Sequence, residues 1–128
     1  MEIRTEIDEE GGLRRHKITG RVTTSELVAA LESLYSTFPR TEELSSLWDL
    51  TEAEVDLKAD EVRALAELVT QNWGKTGRAR SAIVVTEDLA FGLARMYESM
   101  VTARTSSPVR ICRELDQAVA WLAEGSGT

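Results

Sequence analysis

The chain has 128 residues, 42% hydrophobic and 29% charged, the size and balance of one globular domain. Its net charge of −7 comes from acids spread along the chain, so the clustered basic surface that nucleic acid or an anionic membrane requires is missing, and no apolar run nears the ~20 residues that cross a bilayer. Cys112 and His16 are each the only residue of their kind, which excludes an internal disulfide and a zinc site built on several Cys or His ligands.

The first residues, MEIRTEIDEEGG, alternate and are charged, so they read as neither a signal nor a transit peptide, and a cytoplasmic location is expected. MEIRTEID places Ile3, Thr5 and Ile7 on one face, EEGG turns, and LRRHKITGRV follows as a second extended segment. Together these predict a β-hairpin. Thr23 followed three residues later by Glu26 is a capping-box pattern, and Leu27, Leu31, Leu34 and Phe38 then recur at helical spacing up to Pro39. This predicts a helix over 24–38.

SSLWDL at 45–50 reads as a strand and TEAEVDLKAD as a polar loop. A second helix is expected over about 59–73, with Val62, Leu65, Ala66, Val69 and Trp73 on one stripe and Gly74 and Gly77 ending it. SAIVV at 81–85 is apolar without alternation, the habit of a strand buried on both faces of a parallel sheet. A third helix is expected over about 88–103, a last strand over 109–113, and a helix over 115–124 with a disordered tail at 125–128.

The order is ββαβαβαβα. After the hairpin, strands and helices alternate strictly. A single α/β domain over 1–124 is therefore expected, with a five-stranded, mixed but mostly parallel sheet and four helices.

SLWDLTEAE, VRALAELV, ARSAIVVTEDLAFGLARMYE and VRICRELDQAVAWL resemble the SpoIIAA-like family of STAS-type domains, over nearly the whole chain. The resemblance implies a small bacterial α/β protein with a five-stranded sheet. The family's name comes from anti-anti-sigma factors, which bind an anti-sigma kinase and are switched by serine phosphorylation. The wider fold neighbourhood is likened to lipid-binding CRAL-TRIO domains. One departure matters. The phosphoacceptor of those factors stands at a helix start shortly after a strand ending in Asp-Leu. Here Asp49-Leu50 is followed by DLKADEV at 56–62, and no serine or threonine lies between Thr51 and Thr70. That switch has no acceptor at that place.

Other chemistry is thinly marked. GKT at 74–76 lacks the first glycine of a phosphate loop, because Val69 holds that position. Six carboxylates at 49–61 could attract a hard cation, but EF-hand spacing is absent, and Asp60 and Glu61 have a local role near a helix N-terminus. His16 sits on a strand face with Ile18 and reads as a half-buried or edge histidine. Cys112 reads as a small hydrophobe. Neither a cofactor nor a metal is implied.

On a helical wheel Leu89, Ala90, Leu93, Met96, Tyr97 and Met100 share the arc expected to face the sheet, which leaves Phe91 opposite, near Arg95 and Glu98. Phe91 lies just past the 81–85 strand, at the sheet edge where ligands bind in open α/β proteins. It either folds against a neighbouring loop or gives an apolar contact to a ligand or second subunit, and Gly92 beside it could admit a close approach. The candidate contact residues are Trp48, Asp49, Thr51, Phe91, Gly92 and Arg95.

Three readings follow. The first is a non-catalytic regulatory or protein-interaction module, self-associating as a homodimer or binding another protein. The second is a carrier of a small apolar or lipid-like ligand near Trp48, Phe91, Met96 and Tyr97. The third is an enzyme using Asp49 and Thr51 near Asp88 and Arg95, and it is ranked last because no catalytic constellation is assembled.

Overall fold

The chain opens with a hairpin: β1 (Glu2–Asp8) pairs antiparallel with β2 (Leu13–Val22) in unbroken register from Glu2↔Thr19 to Asp8↔Leu13. Gly12, at the end of the turn, has φ +63°, a conformation that side chains with a Cβ rarely adopt. The computed structural model describes residues 1–8, 12–37, 45–72, 80–105 and 108–126. The expectations for Phe38, Pro39, Trp73 and the GKT loop fall outside them.

Helix α1 (Thr24–Thr37) leads to β3 (Ser45–Val55), α2 (Ala59–Gln71), β4 (Ser81–Val84), α3 (Asp88–Arg104), β5 (Val109–Cys112) and α4 (Leu115–Ser126). The expected order ββαβαβαβα is the observed one. The strands form one five-stranded sheet in the order β1-β2-β3-β4-β5, with β2 to β5 parallel and β1 antiparallel at one edge. Because each parallel strand is laid beside the one before it, crossovers of one hand place α1, α2 and α3 on the same face. There α1 packs on α2 and α2 on α3, while α4 packs on β3, β4 and β5 from the other side.

Each face has its own core. On the α4 side, Leu13, Leu47, Ala82, Val84 and Cys112 meet Ala118 and Leu122, bordered by Leu115, Val119 and Trp121. On the α3 side, Val85, Ala90 and Ile111 are buried, with Leu50, Val55, Ile83, Phe91, Ala94 and Val109 packed against them. The run SAIVV does not alternate because both faces of β4 are covered. Arg80 pins α4 from below: its Nη1 donates to the Trp121 carbonyl at 2.8 Å and its guanidinium lies 4.8 Å from the centre of the Trp121 ring.

Two expectations are corrected. The stretch TEAEV, read as loop, is the second half of β3. It pairs with β2 from Thr19↔Glu52 to Val22↔Val55, beyond the point where β4 ends. Its alternation of exposed Glu52 and Glu54 with partly buried Ala53 and Val55 is that of a strand with one face covered. The second correction concerns the rotation of α3. Its fully buried residues are Ala90 and Val101, eleven positions and about three turns apart, and Leu89 is 73% exposed. The wheel grouped residues by hydrophobicity and so put Leu89 inside. The helix instead approaches α2 and the sheet through small residues, with Leu93, Met96, Tyr97 and Met100 partly buried. The last helix also runs to Ser126, two residues past its expected end.

Candidate functional site

The C-terminal ends of β3, β4 and β5 and the start of α3 meet at one edge of the sheet. Between Lys17↔Asp49 and Thr19↔Glu52 the β2–β3 register shifts by one residue, a bulge in β3 over Leu50 and Thr51. A bulge frees ladder groups from their partners. Asp49 answers this locally: its Oδ1 accepts from Thr51 N at 3.0 Å and from Thr51 Oγ1 at 2.7 Å. This pair therefore serves the backbone.

Phe91 belongs to the core beside Val85, Ala90 and Ile111, and the Arg113 guanidinium covers its ring at 4.2 Å. Arg113 Nη1 also donates to Asp88 Oδ1 at 2.8 Å and reaches the Thr86 carbonyl at 3.4 Å. One arginine thus links the end of β5, the β4–α3 loop and the first turn of α3. The sequence reading missed it. The available signal was an Arg at a strand end facing a Phe and an Asp one helix away. Phe91 packs on the sheet side of α3, not on its outer side against a loop as expected.

Trp48 points to the helix-layer side and stacks on His16 with ring centroids 4.1 Å apart. Asp49, the next residue along the strand, points to the opposite face. Gly92 is exposed, and a Cβ built there meets nothing within 4 Å. Gly92→Ala is therefore expected to raise stability by about 0.5–1 kcal/mol, read by chemical denaturation, because it removes a helix-interior glycine with no close approach to protect. Arg95 pairs with Glu98 at 3.1 Å one turn along the helix. The six candidates thus divide into a stacked pair around Trp48, the Asp49–Thr51 bulge, the Phe91 cluster and the outer side of α3.

His16 is buried, not half-exposed, at 1% accessibility. Its Nδ1 lies 2.9 Å from Thr5 Oγ1, and its Nε2 has no hydrogen-bond partner among the described residues. Burial, assisted by the nearby Arg14 charge, lowers its pKa to about 4, so the ring is neutral at pH 7. Burial pushes the Cys112 thiol up, which keeps it protonated and unreactive.

The acidic stretch is largely occupied by neighbours. Lys17 Nζ meets Glu52 at 2.5 Å, Arg21 Nε donates to Asp56 at 2.9 Å, and Glu61 accepts from Lys58 N at 2.9 Å at the start of α2. Among the described residues no group of three His, Cys, Asp or Glu stands together to hold a metal, and no helix is long and apolar enough to cross a membrane.

No family model matches the chain, and no curated protein matches it. Among solved structures it is similar to an uncharacterized protein of the DUF3478 family with a SpoIIAA-like fold from Shewanella loihica PV-4. The identity is 22%, the TM-score 0.58, and the alignment covers 94% of this chain and 92% of the other. At that identity the likeness establishes a shared α/β fold.

Proposed function

We propose that the chain is a non-catalytic regulatory or protein-interaction module. One observation carries this reading: two polar side chains at the C-terminal edge of the parallel strands, Asp49 and Arg113, are spent on the chain itself. Asp49 holds a bulge and Arg113 joins Asp88 to the Phe91 ring. A catalytic carboxylate or cation needs a free reacting face. The test is a panel of ester, phosphoester and amide probes. Wild type, Asp49→Ala and Arg113→Ala are expected to give the same background turnover, with circular dichroism confirming that all three fold. Turnover by wild type that either substitution abolishes would overturn the reading.

A second reading, binding of a small apolar or lipid-like ligand, is favoured by the His16 Nε2 left without a partner beside Trp48. Native mass spectrometry of the purified protein separates the two. A bound apolar molecule that is lost in Trp48→Ala supports the ligand reading, and the bare chain mass supports the module.

A further inference from the structure

The outer edge of β1 pairs with no strand among the described residues. It is seven residues long, without proline or bulge, and its ladder to β2 is continuous. An open edge is a template for another strand, and proteins blunt it with proline, bulges, shortness or charges; β1 has only the charges Glu2, Arg4, Glu6 and Asp8, which admit a partner strand whose charges match them. The opposite edge, β5, is only four residues long and is packed on by both α3 and α4. Ile7, on β1, is 42% exposed.

The sequence of β1 is complementary to itself. Two antiparallel copies related by a two-fold axis place opposed residues on the same face, so the Ile3-Thr5-Ile7 row must meet its own kind. With the axis at Thr5, Arg4 lies opposite the second copy's Glu6 twice, and Ile3 lies opposite its Ile7 twice. All seven residues of each strand take part, and the like-signed Glu2 and Asp8 fall at the two wet ends. With the axis at Arg4, arginine meets arginine and Glu2 meets Glu6. With the axis at Glu6, Arg4 meets Asp8 twice, but the two Glu6 side chains oppose each other and Ile3 loses its Ile7 partner. With the axis at Ile3, Glu2 meets Arg4 twice, but only residues 1–5 engage and Ile7 stays bare.

We infer that β1 is a self-pairing surface, where a second copy of this chain adds edge to edge about Thr5 and joins two five-stranded sheets into one. The inference rests on the interaction-module reading and names its partner.

Sedimentation equilibrium over a concentration series into the hundreds of micromolar tests it. Wild type is expected to move toward twice the monomer mass. Arg4→Glu and Glu6→Arg are each expected to weaken association tenfold or more, since each sets like charges opposite one another twice. The double variant Arg4→Glu/Glu6→Arg is expected to associate again, as is an equimolar mixture of the two single variants, because both arrangements restore opposite charges across the axis. These side chains are exposed, so unchanged far-ultraviolet circular dichroism is expected throughout. A wild type that stays monomeric, a dimer indifferent to both reversals, or reversals that neither the double variant nor the mixture rescues would overturn the proposal. A monomer would leave the non-catalytic reading standing, since that reading is decided by turnover and by a bound ligand and not by oligomeric mass.

Discussion

Stability should fall by roughly 3 kcal/mol as pH drops from about 6.5 to about 4, on account of His16 alone. The sign follows from the depressed pKa. Between the two values the unfolded chain, whose imidazole titrates near 6.5, binds a proton that the folded chain refuses until about pH 4. The contribution is complete above pH 6.5, is lost across that window and is constant below it. The cause is local: the ring is sealed at 1% exposure against Trp48, Thr5 occupies Nδ1, and the Arg14 charge opposes a second cation. Urea denaturation at several pH values should show the slope in wild type. His16→Phe keeps an aromatic ring against Trp48 and removes the titrating group, so the difference between the two proteins should isolate the term. Glu26, whose carboxyl is held below its usual range mainly by a hydrogen bond from the N-terminal amine, loses its own contribution on acidification in both proteins and cancels in that difference. Equal slopes would mean that the imidazole is reached by water.

Phe91→Ala should cost about 2–4 kcal/mol, below the ~3–5 kcal/mol of a fully buried aromatic ring because Phe91 is partly buried, and above the ~0.5 kcal/mol of an exposed one. The substitution opens a space beside Val85, Ala90 and Ile111 and leaves the Arg113 guanidinium without the ring it covers. Leu89→Ala, two residues away on the outer side of α3, should stay within about 0.5 kcal/mol. Thermal or chemical denaturation of the two variants side by side reads the rotation of the helix directly. The reverse ranking would restore the orientation expected from the hydrophobic arc alone.

That reversal shows where the amino-acid pattern was informative and where it was not. SAIVV announced a strand covered on both sides, and alternation after the hairpin announced the mostly parallel sheet, because both depend on periods a single segment displays. Which side of α3 faces inward depends on its neighbours. Ala90 fits against the core where a leucine would hold the helix away, and hydrophobicity alone ranks leucine first. TEAEV had the two-residue period of a strand, but its glutamates suggested a loop until β2 was seen to extend alongside it. The candidate residues fall in four separate places, from the Trp48 stack to the outer side of α3. Their partners were not legible, since Arg113 reaches Phe91 and Asp88 only once β5 lies beside β4.

Among the described residues, the sheet face lined by Leu13, Leu47, Ala82, Val84 and Cys112 is covered by one element, α4, which follows every strand in the chain. Until α4 docks, a folding chain presents that apolar surface to solvent or to a chaperone. Leu13, on β2, is covered only when Ala118 and Leu122 of α4 dock. Intermediates that lack α4 are therefore open to misassociation.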